Sequence, residues 1–264
     1  MSTKKALLIG INYIGTRCQL NGCINDVMNI KTFLLAEQGY SEENIRVLIE
    51  TDEDPVNKPT RANILSCIDE LVKDNTSESQ FFVHYSGHGG YVRDVSGDEE
   101  DGKDETLCPL DYATAGEIID DELRKRLVDP LVKGAKLTAL FDCCHSGTSL
   151  DLRYNYKLYN NTSKKFEFSI ISDEHYQISK GTAILFSGAL DSETGADAFE
   201  KGIFQGAMTF SFIESYKALN NKGKRPSYKR FMKYLLKFIK GRGYSQTPQI
   251  SSGKFLNIDE NLSI

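Results

Sequence analysis

The sequence predicts an α/β fold, a mostly parallel central sheet with helices on both faces. Three observations lead there. Leu137–Gly147 reads LTALFDCCHSG, an apolar, strand-forming run that stops at Asp142, Cys143, Cys144 and His145. Phe81–Gly90 reads FFVHYSGHGG, built the same way and stopping at His88 between two glycines. Around them, short apolar runs alternate with segments of helical period, the pattern of β-α-β units. In such sheets ligands and chemistry gather at the carboxyl ends of the strands, where both runs deliver their reactive residues.

Taken in order, Lys5–Gly10 (KALLIG) forms a first strand, and Asn12–Cys23 a loop rich in Asn and Gly. A helix follows with Asn25 or Asp26 as N-cap and Val27, Ile30 and Leu34 on one side, ending at Gly39. Ile45–Ile49 is the second strand. Thr60 caps a helix whose stripe, Ile64, Ile68, Leu71 and Val72, suits packing on a sheet. Phe81–Tyr85 is the third strand. Residues 92–115 are too polar for core and carry Asp98, Glu99, Glu100, Asp101, Asp104 and Glu105. Asp120 and Asp121 then open a helix with Leu123, Leu127 and Leu131 on one side, and Lys136–Phe141 is the fourth strand. The polar stretch 151–180 reads as a surface loop or a short hairpin. Thr182–Ser187 is a fifth strand and Ala207–Leu219 a helix. Ser227 caps the clearest helix, with Tyr228, Phe231, Met232, Leu235, Leu236 and Ile239 aligned, ending at Gly241. Pro248–Ile258 supplies a last strand. The 264 residues thus form one domain, with 151–180 as a linker between 1–150 and 181–264.

A net charge of −5 and a pI near 5.5 predict neither nucleic acid nor an anionic membrane as partner. No apolar run approaches the ~20 residues that cross a bilayer. The opening MSTKKALLIGINY holds only five consecutive apolar residues, too few for a signal peptide. The expected setting is cytoplasmic and reducing. The six cysteines lack C-x-x-C spacing and are expected as free thiols.

A cysteine nucleophile needs a nearby base, because its free pKa of ~8.5 leaves little thiolate at neutral pH. Of the four histidines, His84 precedes the strand end and is expected to be packed, and His175 lies in the polar stretch. His145 adjoins Cys144 and points away from it on an extended chain. His88, between Gly87 and Gly89, is the candidate base. With period 2, Asp142 and Cys144 share one face of their strand, as Ser86 and His88 share one of theirs. The competing reading makes both cysteines small buried hydrophobes. His84 and His88 with Cys143 and Cys144 also offer zinc ligands, but i, i+4 histidines need a helix that HYSGH does not favour. The carboxylates around Asp104, Asp120 and Asp121 suit calcium, although acidic runs are more often plain solvated loops.

At these motifs the sequence resembles the metacaspases, caspase-fold cysteine peptidases of clan CD, and within them the type I members. YSGHGG (Tyr85–Gly90) and DCCHSG (Asp142–Gly147) carry the likeness. NGCINDV (Asn21–Val27), DGKDETLCPLDY (Asp101–Tyr112), IIDDEL (Ile118–Leu123) and SGALDSETGADA (Ser187–Ala198), followed by GAMTFSFI, extend it along the chain. The resemblance implies a caspase-like fold with 1–150 as the large-subunit-like and 181–264 as the small-subunit-like region. It implies His88 as general acid/base, Cys144 as nucleophile, and the backbone N–H groups of Gly89 and Cys144 as oxyanion donors. It implies an S1 pocket of Asp142, Asp26, Cys23 and Ser86, whose carboxylates suit an Arg or Lys at P1 and not an Asp. It also implies a Ca2+ site at Asp104, Asp120 and Asp121, monomeric protein acting on peptide and protein substrates, and autocatalytic cleavage after Arg153, Lys157, Lys164, Lys165 or Lys180. The rival readings are a catalytically silent scaffold of the same fold, and a related clan CD hydrolase or peptide ligase.

Overall fold

The computed structural model describes residues 3–93, 102–143, 147–160, 166–188, 197–200, 203–220, 225–244 and 246–264. The chain begins with β1 (Lys4–Gly10), α1 (Cys23–Glu37), β2 (Ile45–Ile49), α2 (Arg61–Val72) and β3 (Gln80–Ser86). A small antiparallel sheet follows from β4 (Gly89–Arg93), β5 (Lys103–Leu107) and, after the turn α3 (Tyr112–Ala115), β6 (Ile118–Ile119). The short α4 (Asp120–Leu123) continues as a π turn over Arg124–Val128 into β7 (Lys136–Asp142). Next come β8 (Tyr154–Asn160), β9 (Phe166–Ser172), β10 (Thr182–Ser187) and the pair β11 (Asp197–Glu200) and β12 (Ile203–Gly206). The chain closes with α5 (Ala207–Asn220), α6 (Tyr228–Gly241) and β13 (Gln249–Ser252).

The main sheet has eight strands in the order β2-β1-β3-β7-β10-β13-β8-β9. The first five run parallel, and the last three join antiparallel. Polar residues 151–180 therefore include a hairpin that widens the sheet, the second of the two forms expected for them. Helices cover both faces. Side chains of β1, β3, β7 and β10 pack alternately into two cores, as the period of 2 requires. Leu7, Ile9, Val83, Tyr85, Ala139 and Phe141 meet α2 and the π turn on one side. Ala6, Leu8, Phe82, Leu140 and Phe186 meet α1, α5 and α6 on the other.

The caps follow the sequence with one correction. Thr60 Oγ1 accepts from Asn63 N and Ser227 Oγ from Arg230 N, 3.3 Å each. However, α1 begins at Cys23 with Gly22 at the N-cap, so neither Asn25 nor Asp26 caps it. Asp26 lies inside the first turn, buried, with its carboxylate engaged elsewhere.

Candidate active site

β3 and β7 are paired in register, Ser86 opposite Asp142, so both motifs end together at the carboxyl edge of the sheet. Ser86 and Asp142 point to the α1/α5 side. There Asp26, fully buried, accepts the Ser86 Oγ–H at 2.7 Å and the Gly206 N–H, which reaches both carboxylate oxygens at 2.9 Å. Asp142 Oδ2 accepts from Thr209 N at 2.7 Å in the first turn of α5, where unpaired amides and the helix dipole favour an anion. Gly206 is wedged between the two carboxylates; a Cβ there would lie 2.5 Å from Asp142 Cγ and 2.8 Å from Asp26 Oδ2. Asp26, Ser86 and Asp142 thus form one buried anionic cluster. Cys23, also buried, lies one turn before Asp26 on the same helix.

His88 follows β3 on a backbone held by three bonds. Tyr13 Oη accepts from His88 N at 3.0 Å, Tyr85 Oη donates to His88 O at 2.7 Å, and Cys108 N donates to the same oxygen at 3.1 Å. Tyr13 Oη in turn donates to Cys108 O at 2.6 Å, and burial pushes its phenol pKa well up, keeping that proton in place. Gly87 makes the arrangement possible, because a Cβ would sit 2.9 Å from Tyr85 Oη and 3.1 Å from Tyr13 Oη. The Tyr13 ring lies against the imidazole, with centroids 4.7 Å apart. His88 Nε2 is 2.6 Å from the Cys18 carbonyl, which can only accept, so Nε2 carries the hydrogen. The neutral ring then keeps its lone pair on Nδ1, the form required of a base. The loop supplying Cys18 O is itself fixed: Glu50 accepts from Asn12 N and Ile14 N, and Asn12 Oδ1 accepts from Cys23 N at 2.9 Å.

Cys144 lies outside the described residues, as do His145 and Ser146. Its neighbour Cys143 is buried in the α2-side core with Phe141, in agreement with a small packed thiol. His84 belongs to the opposite core layer, fully buried, with Nδ1 2.9 Å from Leu140 O. His84 and Cys143 are thus on opposite faces of the sheet, which removes the zinc reading. Burial holds His84 neutral, lowering its pKa to about 4. His175 is exposed and pairs with Asp173, as its position in the polar stretch suggested.

Of the expected calcium ligands, Asp104 and Asp120 are buried and Asp121 is half-buried. Asp120 accepts from Glu105 N at 2.7 Å and Asp121 N at 2.9 Å. Its carboxyl also meets that of Glu105, absent from the expected set; burial and this partner raise the Asp120 pKa to about 8. Thr148 Oγ1 donates to Glu105 Oε2 at 2.5 Å, tying this acidic group to the chain just after Gly147. Among the described residues no three His, Cys, Asp or Glu side chains already converge as a metal cage. The donors are all hard oxygens, a set that fits calcium and not zinc. Asp98–Asp101 lie outside the described residues.

Tyr13, the Cys18 carbonyl, Gly206 and Thr209 are site residues that the sequence does not single out, and Glu105 stands there only as a member of the acidic run. Gly206 and Thr209 had one signal, their place in GAMTFSFI, and Glu105 had another, its place in DGKDETLCPLDY.

The family described as "Metacaspase, peptidase C14 domain" matches residues 4–153. Metacaspase-1 of Eremothecium gossypii is 38% identical over 97% of this chain and 65% of its own length. Metacaspase-1B of Aspergillus clavatus is 37% identical over 97% of this chain and 70% of its own. The chain therefore spans about two thirds of these relatives. A crystal structure of a Geobacter sulfurreducens protein superposes with a TM-score of 0.67 at 26% identity, covering 98% of this chain and 97% of that one. Caspase-1 of Spodoptera frugiperda does so with a TM-score of 0.56 at 9% identity, covering 94% of this chain and 85% of that one, and shares the fold. The chain belongs to the metacaspase family.

Proposed function

We propose that this chain is a calcium-activated cysteine endopeptidase that cleaves after Arg or Lys. The observation that carries the specificity is the buried cluster of Asp26, Ser86 and Asp142 at the strand ends, held by Gly206 N and Thr209 N. Two carboxylates recessed beside a nucleophile favour a guanidinium or ammonium through charge-assisted bonds, and disfavour an aspartate.

His88 Nδ1 takes the Cys144 thiol proton, and the Sγ–C bond forms at the scissile carbonyl. The backbone N–H groups of Gly89 and Cys144 receive the developing oxyanion. Nδ1 returns the proton to the leaving amine as the C–N bond breaks, and water then hydrolyses the thioester. The Cys18 carbonyl stabilises the imidazolium formed in each half.

Asp104, Asp120 and Asp121 would hold calcium, with Glu105 as the added neighbour. Calcium bound there would supply positive charge against these carboxylates, at a segment that Glu105 and Thr148 tie to the chain just after Gly147. Self-cleavage after a basic residue belongs to the same proposal, and strand pairing argues against two of its candidate positions. Lys157 is paired on both sides, to Gln249 and Ser169, and Arg153 directly precedes β8. Lys180 is exposed, whereas Lys164 and Lys165 lie outside the described residues. Among the described residues Lys180 is the accessible candidate.

The test is hydrolysis of fluorogenic peptides with Arg, Lys or Asp at P1, with and without calcium, against Cys144→Ala. Calcium-dependent turnover of the basic peptides, abolished in the variant, is expected. Turnover of the Asp peptide would refute the acidic pocket, and a folded protein silent on all three would favour the scaffold reading.

A further inference from the structure

The net charge of −5 conceals a strong asymmetry. Of 32 Lys and Arg and 37 Asp and Glu, eleven basic residues and no acidic one fall between Ser215 and Ile258, which leaves the remainder at −16. The basic segment centres on α6. Its apolar side, including Phe231, Met232, Leu235 and Ile239, is buried in the core. Lys229, Arg230, Lys233, Lys237 and Lys240 all fall within an arc of about 100° on the other side, spread over about 16 Å of helix. Arg230, Lys237 and Lys240 are exposed, and Lys229 and Lys233 half-buried. Lys229 pairs with Asp259 at 3.5 Å; Arg230, Lys233 and Lys237 make no ion pair among the described residues. The arc lies on the side of α6 opposite its buried stripe, and past its C-terminal end Arg242 stacks over Phe210 at 4.5 Å, one residue from Thr209.

We infer that this face of α6 docks the protein on an anionic lipid surface. Charge complementarity sets the sign of the partner, and the geometry favours a bilayer over a nucleic acid. The five cations form a convex ridge and not a groove that would seat a strand. Four of the five are lysines, point charges that suit a diffuse field better than bidentate phosphate recognition. The arc contains no Asn, Gln, Ser or Thr to read bases. Mobile headgroups can gather under a spacing fixed by the helix, as the phosphates of a polymer cannot. Tyr234 and Phe238, half-buried beside the arc, supply the aromatic flank common at headgroup level. With a Debye length of about 10 Å at 0.1 M salt, the patch is felt at contact without the acidic bulk of the molecule.

The test is co-sedimentation of the whole protein with phosphatidylcholine vesicles, with and without phosphatidylserine, for wild type and Lys233→Gln/Lys237→Gln. Neither residue belongs to the catalytic or binding machinery, and thermal melting controls for folding. Binding that requires phosphatidylserine and weakens about five-fold per charge removed, about 25-fold for the pair, is expected. It should also fall as salt is raised. Three results would each overturn the inference: no phosphatidylserine-dependent binding, equal binding by the double variant, or tighter binding to a single-stranded RNA oligonucleotide at the same salt.

Discussion

Gly206→Ala places the smallest possible perturbation between the two acidic side chains. Its Cβ would lie 2.5 Å from Asp142 Cγ and 2.8 Å from Asp26 Oδ2, inside the 3.0 Å that real Cβ atoms respect. Both carboxylates are buried, so the end of β12 must move instead. That movement breaks the Gly206 N–H bond to Asp26, 2.9 Å to each oxygen. A hydrogen bond to a charged group is worth about 1.5–3 kcal/mol, hence about a 10- to 150-fold loss when it supports substrate binding. The assay is kcat/KM on Arg- and Lys-P1 peptides, with melting as the control. The loss should fall chiefly on KM, because Gly206 touches the pocket carboxylates and not His88. An unchanged kcat/KM in a folded variant would show that Asp26 and Asp142 do not receive the P1 side chain.

Tyr13→Phe keeps the ring on His88 but removes the hydroxyl that accepts from His88 N and donates to Cys108 O; kcat should drop about ten-fold with KM little changed, read from the same peptides. His84 makes stability pH-dependent: its folded pKa of about 4 lies below the ordinary 6.5, so the unfolded chain binds the proton first and stability is lost as pH falls from about 6.5 to about 4. At about 1.4 kcal/mol per pH unit this amounts to roughly 3 kcal/mol, and melting curves of His84→Leu should show a correspondingly flatter acid limb. Asp120→Asn should abolish the calcium stimulation of peptide hydrolysis and the calcium-binding heat in titration calorimetry; full stimulation in that variant would refute the assigned ligand set.

The parts of this protein legible in its sequence are those with a period. The strands ending at Ser86 and Asp142, and the helices over 61–72 and 228–241, obey spacings of 2 and 3.6 and lie where those spacings predict. The two motifs share one build, and the structure adds what that build does not contain, the register that sets Ser86 opposite Asp142. What sequence did not reveal depends on contacts between distant segments. Tyr13 meets His88 across 75 positions, and Gly206 meets Asp26 across 180. Tyr13 has no local pattern and even takes a positive φ of 52°, which a loop reading cannot anticipate. The mistaken N-cap at Asp26 shares this cause. A carboxylate in a first helical turn satisfies local capping statistics, but Ser86 and Gly206 from elsewhere in the chain compete for it and win. The basic arc of α6 was obscured for a simpler reason, because a net charge averages over faces.

Covalent labelling tests the Cys144 nucleophile and the acidic pocket together. Peptidyl-Arg and peptidyl-Asp chloromethyl ketones would be offered separately to the calcium-loaded protein and to His88→Ala, with the adduct mapped by tandem mass spectrometry. One adduct is expected, on Cys144, formed from the Arg reagent and strongly slowed without His88. An adduct on Cys143 or Cys18, or equal labelling by the Asp reagent, would contradict it.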